Sequence, residues 1–554
     1  MNRRFAQRSC LLAILALLGA RSLATARNAP VGPPAPAQGG QRYAQILRYI
    51  SNAWTTLSRS VDECKTLYDP KSPGKSVLYF PAGFRIPAKV EKLPHSCPVR
   101  IKFLPPNHKL GDPDVRNIHP EGLLYLPHPY VVPGGMFNEM YGWDSYFIVR
   151  GLLEDGRLDL ARGMVGNFIF EIKHYGGILN ANRTYYLTRS QPPFFTEMVR
   201  AVYDAEKSRG RNDRAWLARA YPFAVESYRF WTQPPHLAGS TGLSRYFGFG
   251  SGPAPELAGA DSHYYRDVAS YFLLHPNVAR GFLILKPPPD SPGPLFPLFV
   301  CNPSPARFPG ACKVVGKMSL STAFYKNDRS LRESGFDVTF RFGPFGDKTT
   351  EYAPVDLNSL IYREAKDLAW MSNQLGRPAE ARVWRKRAAR RREAITKCFW
   401  NARRGLYFDY DFKTGNQSGY VYASTFFPLW AGVASQAQAR AVIRNVKIFD
   451  EPGGIVTSRT RSGGQWDFPY GWAPLQLIAV EGLRRYGDRA DARRIAAQFL
   501  SVVNANFLRD HTIREKYNVV TRSSETHVSV GYVKNQVGFG WTNGVFVTLL
   551  RESP

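Results

Sequence analysis

The chain has 554 residues, 44% hydrophobic and 14% aromatic, which excludes a disordered or collagen-like protein and leaves room for one large domain or two to four ordinary ones. Lys and Arg number 73 against 44 Asp and Glu, a formal net charge of +29. Such a charge would suit nucleic acid or an anionic envelope. However, the densest run, RKRAARRRE at 385–393, falls in a helical pattern with no zinc-finger spacing or RNA-binding signature, so it reads as a solvated basic face and nucleic acid is set aside as a partner.

The first 26 residues read as an export signal. Arg3, Arg4 and Arg8 make the positive end, CLLAILALLGA (10–20) the apolar stretch and Ala24-Thr25-Ala26 the cleavage site. That places the mature protein in the periplasm or outside the cell, with no stable membrane insertion after signal removal; a membrane anchor is the alternative. RNAPVGPPAPAQGGQ (27–41) is a Pro/Gly/Ala-rich linker. From 42 to 554 no second break of that kind occurs, which predicts one domain. Five cysteines lie beyond the signal: Cys64, Cys97, Cys301, Cys312 and Cys398. Cys301 and Cys312 are near enough in sequence to be bridged, and an odd number leaves one thiol free. No CxxC or HExxH occurs, so a metal site is not indicated, and no organic cofactor is implied.

The regular segments are helical. Periodicity predicts helices at 197–208, 214–231, 356–376, 378–400, 435–446, 472–486 and 489–507. In the third, Asp356 is a plausible N-cap, an apolar stripe runs from Leu357 to Leu375, and Gly376 ends the helix. NARRGLYFDYD (401–411) reads as a loop and short extended piece, and KPPPDSPGPLFPLFVCNPSPARFPG (286–310) as an insertion loop. Helix, loop, helix with polar strings in the loops describes a helical toroid with loops gathered at one end; periodicity does not separate it from a solenoid.

Six loop strings carry chemistry, in chain order. They are PGGMFNEMYGWDSYF (133–147), NANRTYYLTRSQPP (180–193), PAPELAGADSHYYRDV (253–268), ESGFDVTFRF (333–342), GGQWDFPYGWAPLQ (463–476) and GFGWTNGV (538–545). Singly each has a plain structural reading: a Trp-Asp pair is a helix cap, and His263 a hydrogen-bonded structural residue. Jointly they mix rings with Asp, Glu, Arg, Asn and Gln. That mixture suits a sugar, whose apolar faces stack on rings while its hydroxyls take polar partners.

PGGMFNEMYGWDSYF and QWDFPYGWAP resemble the two signature strings of the trehalases, glycoside hydrolase family 37. NANRTYYLTRSQPP, ESGFD, EKYN (515–518) and GFGWTNG are similar to further strings of that family, in the same order from Pro133 to Leu550. The resemblance implies an all-α (α/α)6 barrel, six hairpins with the active-site loops at one end, and hydrolysis of α,α-trehalose to two glucoses with inversion at one anomeric carbon. It puts Asp337 in the general-acid position; a neutral carboxylic acid must protonate the bridging oxygen, and Phe336 beside it supplies an apolar wall. It assigns sugar binding to Trp143, Asp144, Asn180, Arg189, Ser190, Gln191, Glu256 and Gly335. The partner implied is a small disaccharide, and a monomer is favoured.

Three departures stand out. Met136 replaces the arginine of Pro-Gly-Gly-Arg, Ala254 that of Arg-Pro-Glu, and the family's Glu-Tyr before Gly-Phe-Gly-Trp aligns near Tyr532, where no acid stands. An inverting hydrolase needs a base about 6.5–9.5 Å from its acid, and a phenol of pKa ~10 serves poorly. Glu525 is the nearest acid in the same loop and is taken as the base, a solvated loop glutamate being the other reading; Asp144 and Asp467 have sugar-binding or structural roles in their strings. The rival functions are a trehalase-like sugar-binding protein without hydrolysis, a hydrolase or lyase of the same barrel on another glycoside or a uronic acid, and a structural envelope protein.

Overall fold

The structure, a computed structural model, describes residues 42–69, 76–112, 115, 118–257, 263–279, 281–301 and 312–552. The expected export signal and linker lie outside that range. The residues from Tyr43 onward form one compact unit.

Its frame is a double ring of helices. The inner helices are Asp144–Glu154, Phe195–Ser208, Val355–Gln374, Phe427–Ala431, Ala473–Arg485 and Gly540–Glu552. Each packs on the next, and the last returns to the first, so the ring closes. Closure decides between toroid and solenoid, and the chain is an (α/α)6 barrel. The outer helices are Ala44–Thr56, Leu158–Tyr175, Arg214–Trp231, Pro378–Phe399, Gln436–Arg444 and Arg489–Asp510. Sequence explains which helix goes where. The inner 473–485 helix buries every residue from Ala473 to Val480, whereas the outer 378–399 helix buries only a stripe including Ala381, Trp384, Ala388 and Ile395 and leaves its arginine run in water, apart from Arg391. The stripe of an outer helix covers the inner ring, and apolar burial of that kind is the main source of the fold's stability.

The predicted helices hold within a few residues. Asp356 is an exception. The 355–374 helix starts one residue earlier on Pro354, and Asp356 is buried in its first turn, accepting from Arg341 at 2.5 Å and Tyr246 at 2.8 Å. A buried guanidinium outbids a local capping role. The 286–310 stretch is not all loop either. Phe296–Cys301 is a strand on Cys312–Leu320, which also pairs with Leu283–Leu285. Cys301 and Cys312 are register partners there. The described disulfide joins Cys64 to Cys97, 33 residues apart in sequence, and Cys398 is a buried free thiol. No described helix is long and apolar enough to cross a membrane.

Candidate active site

The loops joining outer to inner helices gather around a cavity of about 490 Å³. Its floor is four tryptophans from three of the strings. Trp466 stacks on Trp472 with centroids 3.8 Å apart and planes 8° from parallel. Trp541 meets both and Trp143 edge-on at 5.6–6.2 Å. Trp143 and Trp541 stand at the N-terminal ends of neighbouring inner helices, so helix packing fixes the floor. Offset and edge-on ring contacts of this kind lock orientation as well as burying area.

Asp337 follows the helix Thr322–Glu333. Gly335 turns the chain with φ +75°, and a Cβ there would come within 2.8 Å of the Trp143 ring, so only glycine meets both demands. Phe336 is then wedged between Trp143 and Trp466, at 5.4 and 5.0 Å, and the Asp337 carboxyl enters the cavity. Burial pushes this carboxyl up, Arg332 and Arg189 pull it back, and the balance is about 6. The group therefore holds its proton over a range in which an ordinary carboxyl has lost it.

Arg332 was not among the sequence candidates. It hydrogen-bonds Asp328 at 3.1 and 3.2 Å, and its remaining nitrogen reaches the Tyr532 hydroxyl at 2.9 Å, Asp337 at 3.4 Å and Glu256 at 3.8 Å. Arg189 pairs with Glu256 at 2.6 and 3.3 Å. Burial opposes the charge on Glu256, but the two arginines outweigh it and hold the carboxyl at about 2. Asp144 moves the other way: burial, with Glu515 and Asp337 adding to it, raises its carboxyl well above the usual range. Nε of Arg189 and Oε1 of Gln465 are buried without a protein partner, on two residues that line the cavity.

Trp143, Asp144, Asn180, Arg189, Gln191, Glu256, Gly335 and Asp337 all line the cavity. Ser190 does not. Its hydroxyl donates to the Ile178 carbonyl at 2.6 Å and its amide to Glu333 at 3.1 Å, so it shapes the loop beneath. Asp467 is likewise structural: Thr339, Tyr420, Ser458, Ser462 and the Phe340 amide all donate to it, tying three loops together. Glu525 is exposed and outside the lining. The carboxylate the structure brings in instead is Glu515, from EKYN. The strand Lys516–Asn518 pairs with Tyr470–Trp472, setting Lys516 opposite Trp472. Lys516 holds Glu515 at 2.9 Å, and Trp541 donates to the Glu515 carbonyl at 3.1 Å. Distance along the chain favoured Glu525; pairing across strands selects Glu515. Among the described residues no group of three or more His, Cys, Asp or Glu is placed to hold a metal ion.

A barrel whose loops build a tryptophan-floored, carboxyl-bearing cavity offers the rings and polar groups that suit a sugar. The chain belongs to the trehalase family: the family model for trehalase matches residues 93–271 and 315–554. A cytosolic neutral trehalase of Kluyveromyces lactis is 38% identical over 460 residues, covering 76% of this chain and 56% of that protein. A periplasmic trehalase of Xanthomonas oryzae is 36% identical over 451 residues, covering 78% and 69%. The solved structure of the neutral trehalase Nth1 from Saccharomyces cerevisiae matches with a TM-score of 0.74 at 32% identity, over 93% of this chain and 94% of that one. In sequence the chain matches 56% of the length of the Kluyveromyces lactis relative and 57% of that of a cytosolic neutral trehalase of Saccharomyces cerevisiae. The expected periplasmic or secreted location is overturned by these relatives: cytosolic neutral trehalases stand among them beside periplasmic ones, so the family does not mark the chain as exported.

Proposed function

We propose that this protein hydrolyses α,α-trehalose to two glucose molecules with inversion at one anomeric carbon. The observation that carries the reading is that Asp337 and Glu515, two carboxyl groups from separate loops, line one tryptophan-floored cavity. Asp337, protonated below about 6, gives its proton to the bridging oxygen. Glu515, ion-paired to Lys516, takes a proton from the water that attacks the anomeric carbon from the other face. The ring that reacts lies on the tryptophan floor. Asp144, Asn180, Arg189, Gln191 and Glu256 take its hydroxyls and those of its neighbour. Gly335 lets the chain pass close to Trp143. A carboxyl pair of this kind favours hydrolysis over sugar binding alone, because binding needs no proton donor.

The test is to incubate purified protein with trehalose and measure glucose. The reading expects catalytic release of two glucoses per trehalose and its loss in Asp337→Asn. Binding of trehalose without release would contradict it and favour the sugar-binding alternative.

A further inference from the structure

The cavity is built of two unlike halves. Its floor carries the tryptophans and Asp144, all buried. Its rim is apolar and open: Met136 is 43% exposed and Val533 68%, from two loops far apart in sequence, with Pro133 and Phe137 beside them in the lining. Lys534 and Gln536 are the polar side chains of that rim.

Two of the three exchanges from the family pattern fall on this half. Met136 stands where the signature has arginine, and Tyr532, next to Val533, where an acid is expected. Burial pushes the Tyr532 hydroxyl well up, so it stays neutral, and its oxygen accepts from Arg332 at 2.9 Å. Ala254, the third exchange, is buried behind the lining, its amide donating to Tyr265 at 2.7 Å. On the rim itself two charged groups of the family pattern are thus replaced by a thioether and a phenol. A thioether adapts its shape to varied apolar partners, and exposed apolar surface gains from being covered.

The two catalytic groups fix which half meets which part of a substrate. The anomeric carbon must lie between Asp337 and Glu515, its ring on the floor. The leaving group lies on the Asp337 side of that carbon, where Arg332 joins Asp337 to Tyr532 and so to the rim loop of Val533. We propose that this outer half takes apolar leaving groups, so that α-glucosides with an alkyl or aryl aglycone are substrates alongside trehalose. The inference rests on the hydrolytic reading above. The step is the same: water adds to the anomeric carbon and gives a proton to Glu515, the bond from that carbon to the aglycone oxygen breaks, and Asp337 protonates the departing oxygen. Glucose and a free alcohol result, with no oxidant or co-reactant.

The test compares kcat/KM for trehalose, methyl α-glucopyranoside and octyl α-glucopyranoside, the last below its micelle-forming concentration. Methanol and octanol are leaving groups of similar acidity, so the octyl-to-methyl ratio reports contact with the chain. The expected ratio is at least tenfold. Met136→Arg, at an exposed position that spares the fold, lowers that ratio about tenfold and raises kcat/KM on trehalose. Trehalose turnover with no turnover of either alkyl glucoside, with an octyl-to-methyl ratio near one, or with a ratio unmoved by Met136→Arg, overturns the proposal and leaves the trehalase reading standing. No turnover of any of the three by folded protein overturns both.

Discussion

Asp337 carries the residue-scale argument, and its protonation cuts two ways. A carboxyl held near 6 in the fold and near 3.9 in an unfolded chain costs stability as pH rises between those values, and the full cost is present above about 6. Asp337→Asn should therefore lower kcat by about 10²–10⁴ yet raise stability at pH 7 by about 2–3 kcal/mol. That gain shrinks toward pH 4, as urea unfolding at the two pH values would read. The activity of the native protein should fall through a limb centred at about 6. Arg332→Gln removes a charge that holds Asp337 down, so this limb should move to higher pH; a fall in kcat with the limb unmoved would mean Arg332 acts only through packing. Glu515→Gln should abolish turnover, with partial rescue by azide, while Glu525→Gln stays within about twofold, as expected of an exposed group. Asp337 was legible in the sequence because its string is contiguous. Glu515 was in view within EKYN, but only the pairing of Lys516 with Trp472 aims it at the cavity. Arg332 lies in a helical run before ESGFD, and nothing linear marks which of its neighbours face inward.

At the scale of elements, the site depends on how closely two inner helices approach. A Cβ on Gly151 would come 2.4 Å from Gly544 Cα, and one on Gly544 would come 2.1 Å from the Phe147 carbonyl oxygen. The 144–154 and 540–552 helices touch backbone to backbone there, and their first turns carry Trp143 and Trp541. Gly544→Ala should thus lower stability by about 1–3 kcal/mol or more and reduce kcat as the floor splays; a thermal melt and a rate at a permissive temperature would check both. GFGWTNGV displays Gly544 plainly, but sequence alone does not distinguish a loop glycine from one spent on helix contact. Seven of the twelve barrel helices were legible from apolar periodicity, whereas Ala44–Thr56, Asp144–Glu154, Leu158–Tyr175, Phe427–Ala431 and Gly540–Glu552 were not, two of them starting within strings read as loops. The strand at Phe296–Cys301 was hidden by Pro297, which suits an edge position as well as a loop.

For the whole molecule, periodicity gave helices in pairs but not the closure that makes a barrel of them. Closure is set by the return of the last helix onto the first, a contact between residues some 400 apart in sequence, as in the hydrogen bond of Arg150 to Glu552. The basic run of the 378–399 helix lies in water apart from Arg391, as a solvated basic face would. What the assembled molecule is built to do is most directly read by proton NMR of the first turnovers on trehalose. Inversion by water opposite Asp337 predicts α- and β-glucose in equal amounts before mutarotation. Release of α-glucose alone, or no release at all, would contradict the account.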